Sequence, residues 1–134
     1  MSKRHPLVTL ETIVLIAMGG ALGANMRYSI GTIVPGLGGT LIANVLGCFV
    51  LGFLIYEAQY TGLIAERSLL VFGTGFLSSF TTYSTFALET VQAPLLWGVT
   101  NVVASYALGF TAVLVGRATA ALVTDESITT TGGE

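Results

Sequence analysis

The sequence predicts an all-α membrane protein with four transmembrane helices. Its composition, the placement of its charges and its helix-breaking residues all point that way. Of the 134 residues, 53% are hydrophobic and 9% charged, with a mean hydropathy of +0.83; a typical soluble domain is about 25% charged. The few charges punctuate the chain rather than decorate it. Thr12 to Met26, Tyr28 to Tyr56, Ser68 to Leu88 and Thr90 to Gly116 carry none, and a membrane helix needs roughly 20 apolar residues. Pro35-Gly36 and Pro94 are the breaks between them.

These marks set the spans at about residues 10–32, 38–59, 67–91 and 95–122, after an N-terminal segment at 1–9. The first span is the shortest uncharged run, but Glu11 and Arg27 lie near its ends, where a charge reaches the headgroups. The third span contains Gly73, Gly75, Ser78 and Ser79, a composition that predicts a helix broken near mid-membrane. Residues 123–134, TDESITTTGGE after Val123, are polar and predicted to be a disordered tail. Lys3 and Arg4 before an apolar run, with ALGA following, imitate a signal peptide. Three further spans make export of a soluble product an unsuitable reading.

Small residues recur at helical spacing. Gly19, Gly23 and Arg27 share a face of the first span, Gly39, Ala43 and Gly47 one of the second, and Ser105, Gly109, Ala112 and Gly116 one of the fourth. Such stripes let helix backbones approach closely in lipid. Each alone is accounted for by packing within the bundle. Together they point to a homo- or hetero-oligomer, because four short helices hardly enclose a wide aqueous route.

Polar groups inside a membrane are costly and tend to mark function. Here they are Asn25, Arg27, Asn44, the hydroxyls of 78–85, Asn101, Ser105 and Tyr106. No carboxylate lies mid-span, His5 is outside the spans, and Cys48 stands alone in an apolar run as a small packing residue. No nucleophile–base pair, metal cluster or phosphate loop points to an enzyme, and the net charge of −2 does not suggest a nucleic-acid partner. The inventory leans toward donors, and aromatic ring edges carry partial positive charge. A route lined by O–H, N–H and ring edges solvates an anion without a fixed charge to trap it. Six hydroxyls between 78 and 85, interleaved with Phe80, Tyr83 and Phe86, are more than back-bonding to helix carbonyls accounts for.

At these residues the chain resembles the Fluc/CrcB family of fluoride channels. GGALGANMRY (19–28), GTLIANVLGCFVLG (39–52) and GFLSSFTTYSTF (75–86) are similar to that family's first-, second- and third-span motifs, in order and spacing. The resemblance implies passive export of fluoride by an antiparallel, dual-topology dimer with two narrow pores. It implies that Asn44 hydrogen-bonds fluoride, that the ring edges of Tyr83 and Phe86 face it, and that Ser84 and Thr85 form a hydroxyl track. Asn101 and Ser105 are the span-four partners in this reading, and Arg27 a vestibule or structural charge. It also implies a structural Na⁺ at the dimer interface, held by the backbone carbonyls of Ser78 and Thr81. Two positions depart from the family pattern: Tyr83 replaces a phenylalanine and Ser78 a glycine. Either is compatible with a specialised subunit of a heterodimer as well as with a homodimer. The alternatives are a four-span proton-coupled multidrug antiporter, for which Glu11 is the first-span carboxylate, and a noncatalytic membrane scaffold.

The cations are unevenly placed. Lys3, Arg4, Arg67 and Arg117 fall on the side of the termini, and Arg27 on the other. Cations near span ends favour the cytoplasm, which leans toward a subunit inserted mainly with its termini inside and paired with an oppositely oriented partner, and leaves a dual-topology homodimer as the alternative.

Overall fold

The computed structural model describes residues 6–62 and 64–131. Its regular elements are all helical, with no strand among the described residues. Helix α1 spans Pro6–Ile33, α2 Leu37–Tyr56, α3 Glu66–Leu70, α4 Ser78–Phe80, α5 Tyr83–Gln92 and α6 Leu95–Thr131. A π-helical turn, Glu57–Thr61, extends α2, and a second, Val71–Leu77, joins α3 to α4. Pro6 opens α1 where a proline is tolerated, because the first N–H of a helix has no intrahelical acceptor. The α1–α2 turn needs a positive φ, which Gly36 supplies at 74°. Ala93 has left the helical region ahead of Pro94, ending α5, and α6 starts immediately after that proline.

Three helices are long and apolar enough to cross a membrane: Pro6–Ile33, Leu37–Tyr60 and Leu95–Val123. The third expected span is present as helix but not as one helix. It is interrupted at Thr81 and Thr82, which adopt extended backbone at φ −84°, ψ 159° and φ −151°, ψ 123°. The break therefore falls just after the Gly-Ser run that predicts it. The outer boundaries also differ. Helix α1 begins at Pro6, inside the segment taken as 1–9, of which residues 1–5 lie outside the described structure. Helix α6 continues to Thr131, where a disordered tail is expected from 123; residues 132–134 are not described. The reason is propagation: a formed helix adds one hydrogen bond per residue fixed, and no Pro or Gly stands between Arg117 and Thr131.

The small-residue stripes are occupied within the protomer. A Cβ on Gly116 would strike the Phe49 carbonyl, and one on Gly52 would strike the Val113 carbonyl, so α2 and α6 meet backbone to backbone. On the other side, Gly23 lies against the Phe76 carbonyl, and Gly75 places its Cα where a Cβ would sit 2.6 Å from the Ile16 carbonyl. These contacts seat the π-turn 71–77 on α1. Large apolar side chains cover the outside: Leu7, Met18, Trp97, Phe110 and Leu114 are all more than half exposed. Lipid is the solvent such a surface requires. At one end, Arg67 of α3 donates two hydrogen bonds to Glu11 of α1, both 2.9 Å.

Candidate functional site: a cavity at the helix break

A continuous helix would bond the Thr82 N–H to the Ser78 carbonyl and the Thr85 N–H to the Thr81 carbonyl. Neither bond forms here. The Thr82 N–H donates instead to Asn44 Oδ1 at 2.8 Å, and Asn44 Nδ2 donates back to the Thr82 carbonyl at 2.9 Å. One amide side chain on α2 thus satisfies both halves of the interrupted residue. The Thr85 N–H donates to Thr82 Oγ1 at 3.2 Å, and that hydroxyl donates to Thr85 Oγ1 at 3.0 Å. Thr82 is therefore the N-cap of α5. Arg27 of α1 donates its Nε–H to the Ser79 carbonyl at 3.0 Å. That bond links α1 to the helical turn just before the break.

The hydroxyls divide by partner. Ser78 Oγ bonds back to the Thr74 carbonyl and Thr81 Oγ1 to the Leu77 carbonyl at 3.0 Å. Their side chains follow the ordinary helical pattern, while their backbone carbonyls lose their helical donors. Ser78 itself has φ −65° and ψ −27°. That is right-handed helical geometry, so a Cβ is no burden where the family pattern has glycine.

A cavity of about 530 Å³ opens beside the break. Asn44, Ser78, Thr81, Tyr83, Phe86 and Ser105 all line it, so six of the sequence-selected residues converge on one space. The Tyr83 and Phe86 rings are 5.8 Å apart at 44°. Ser105 Oγ is buried without a hydrogen-bond partner. Arg27, Ser84, Thr85 and Asn101 are not among its lining residues. Ser84 is exposed, and Thr85 belongs to the cap of α5. Asn101 is 6% exposed and donates to Thr90 Oγ1 at 2.8 Å. Its helical pairing with Ser105 does not bring both to one surface, because α5 intervenes at the level of Asn101.

Thr82 and Tyr106, counted among the buried polar groups but given no role at the site, also line the cavity, as do Cys48 and Phe110, which sequence reasoning did not select. Tyr106 and Phe110 are four apart on α6 with ring centroids 6.4 Å apart, a spacing readable in the sequence. Cys48 faces the cavity opposite Gly109; a lone thiol in an apolar run carries no signal of that. Glu11, the carboxylate an antiporter needs inside the membrane, is committed to Arg67.

A multi-pass helical membrane protein with a donor- and ring-lined cavity at a helix break is the class these features define. The chain belongs to the CrcB family: the family model described as "CrcB-like protein, Camphor Resistance (CrcB)" matches residues 14–117. The resemblance carried by the three motifs therefore holds. A curated relative from Haloarcula marismortui, "Fluoride-specific ion channel FluC 1", is 59% identical over 117 residues, 87% of this chain and 91% of the relative. "Fluoride-specific ion channel FluC 2" from Halobacterium salinarum is 46% identical over 115 residues, 85% of this chain and 90% of the relative. "Fluoride-specific ion channel FluC 1" from Natronomonas pharaonis is 49% identical over 109 residues, 80% and 92% respectively.

Proposed function

We propose that this chain is a fluoride-selective channel that exports cytoplasmic fluoride passively across the cell membrane and so gives fluoride resistance. The observation that carries the reading is the convergence of Asn44, Tyr83, Phe86 and Ser105 on one cavity at the helix break. The relatives' names are consistent with it. The cavity offers amide N–H, hydroxyls and ring edges, and no carboxylate or cationic side chain lines it. Such a lining replaces water around a small anion while holding it weakly enough to leave.

In this reading Glu66–Gln92 crosses the membrane as a third, interrupted span, giving four in the domain 10–122. The Arg67–Glu11 pair supports the count, since four alternating spans put the starts of the first and third at the same end. The functional unit is an antiparallel, dual-topology dimer, with a second copy or a related subunit as the partner. Tyr83 is 75% and Tyr106 56% exposed, so the cavity's aromatic wall is left open to the outside of one protomer. The Ser78 and Thr81 carbonyls suit a structural Na⁺ shared across the interface. Their usual donors, Thr82 and Thr85 N–H, bond elsewhere, and carbonyl oxygen is the ligand a hard cation prefers. When bound, Na⁺ would supply positive charge at the break; the chain's own part is to hold the carbonyls free there. The Ser84 and Thr85 track and a direct Asn101 contact with fluoride find less support than the Asn44, Tyr83 and Phe86 assignments.

The test is fluoride efflux from loaded liposomes containing purified protein, with no proton or Na⁺ gradient. Fluoride should leave and chloride should lag far behind. Phe86→Ile keeps bulk but loses the polarised edge and should slow efflux; Tyr83→Phe should be tolerated. A flux that strictly requires a proton gradient would sink the channel reading and favour the antiporter. No flux of any kind would leave the scaffold.

A further inference from the structure

Thr90 belongs to none of the motifs above. Its hydroxyl donates to the Phe86 carbonyl one turn back at 2.6 Å, as many helical threonines do; Thr100, Thr111 and Thr119 each bond the carbonyl four residues earlier. What sets Thr90 apart is a second bond. Its oxygen also accepts the Asn101 Nδ2–H from α6 at 2.8 Å. A chain of hydrogen bonds, Asn101 to Thr90 to Phe86, therefore crosses from α6 to α5. An independent feature occurs one turn earlier on α6. Gly98 is buried, and a Cβ there would lie 2.8 Å from the Thr90 carbonyl. The two helices touch at Thr90, at both its carbonyl and its hydroxyl.

The chain ends where the cavity begins. Phe86 lines one wall from α5, and Ser105, one turn beyond Asn101, lines the other from α6. We infer that Thr90 is a positioning residue: its hydroxyl ties Asn101 to the Phe86 carbonyl and thereby fixes the spacing between the Phe86 and Ser105 walls. This assigns Asn101 a role through Thr90 rather than on the ion. Linked hydrogen bonds polarise one another, and removing the hydroxyl leaves a buried amide N–H without an acceptor. The consequence for flux rests on the fluoride-channel reading; the consequence for the Phe86 ring does not.

The experiment therefore has two readouts. In liposomes, Thr90→Val keeps the side-chain shape and removes the hydroxyl; fluoride efflux should fall by roughly threefold to tenfold, the worth of an interhelical side-chain bond in a membrane protein. Thr90→Ser restores the oxygen and should restore the rate. Asn101→Leu should lower efflux similarly, and the double variant with Thr90→Val should be no slower than the worse single one, because both break the same chain. Multiplicative losses, or a parental rate in Thr90→Val, would overturn the inference and return Asn101 to direct contact with the ion. In detergent, 4-fluorophenylalanine at position 86 reports ring position by ¹⁹F resonance. Thr90→Val should shift or broaden that line and Thr90→Ser should bring it back. An unmoved line in Thr90→Val refutes the positioning role whatever the flux. If the parent passes no fluoride, the functional reading fails and the resonance still decides the structural one. If Thr90→Val is not monodisperse, the same line in Asn101→Leu decides it.

Discussion

The α2–α6 pair and the interrupted segment 66–92 handle backbone in lipid in opposite ways. In the pair, each helix satisfies its own hydrogen bonds and the contact is made by what is missing, the side chains of Gly52 and Gly116. In the interrupted segment the backbone forfeits helical bonds at Thr82 and Thr85. Side chains replace them, with Asn44 and Thr82 as the substitutes and Arg27 taking the Ser79 carbonyl. Unsatisfied backbone cannot persist in hydrocarbon, so non-helical backbone is tolerated only where protein or a water-lined cavity receives it. The continuous region is therefore sensitive to added volume, and the broken region to lost polarity.

Volume should have the largest effect. Gly116→Leu drives a side chain into the Phe49 carbonyl of α2, where neither rotamer change nor a flexible neighbour relieves it. Overpacking typically costs about 1–3 kcal/mol and more where backbone must move. Loss of monodisperse protein on size exclusion is expected, whereas a parental elution profile would show that the pair tolerates separation. Asn44→Asp comes next. The carboxylate still accepts from Thr82 N–H but repels the Thr82 carbonyl, leaving that carbonyl without its donor, at a cost of about 1–3 kcal/mol. Fluoride efflux should nearly vanish while the fold survives; normal conduction in folded protein would remove Asn44 from the site.

Arg27→Met keeps the stem and removes the donor to Ser79. Charge-assisted bonds of this kind contribute about 1.5–3 kcal/mol, but Ser79 is the middle residue of the three-residue helix α4 and precedes the break itself, so a smaller loss of flux than at Asn44 is expected. Faster amide exchange at residues 79–83 is the measurement, and unchanged protection there would show that α4 stands without it. Glu11→Gln should matter least. The ion pair is 42% exposed on the arginine and 56% on the glutamate, and such pairs are worth at most about 1 kcal/mol. A thermal midpoint close to the parent's is expected; a large drop would show that this end of α1 is held more firmly than its exposure suggests.

The sequence made the continuous region easy to read. Uncharged intervals and Pro-Gly punctuation are local properties, and α1, α2 and α6 follow them with shifts at their ends. The small residues were legible too, and so was packing within the bundle for each stripe alone, but not which segment each one meets. Gly19 and Gly23 meet residues 71–76, which no periodicity connects to them. The same contact seats the π-turn 71–77, hidden in a composition that fits an α-helix. At the site, Asn44, Tyr83 and Phe86 were readable because their motifs are contiguous. The bond from Asn101 to Thr90 was not readable, because Thr90 lies across the Pro94 turn and helical spacing sees only one helix at a time.

The order in which the chain is made gives the break a further meaning. Both outside partners of the break, Arg27 and Asn44, precede it in the sequence. A nascent chain emerges from its N-terminus, so α1 and α2 are made before Thr81 and Thr82 leave the ribosome. The stranded amide of Thr82 finds its receptor already synthesised. Helix α6 comes last and meets α2 through the close backbone contacts at Gly52 and Gly116.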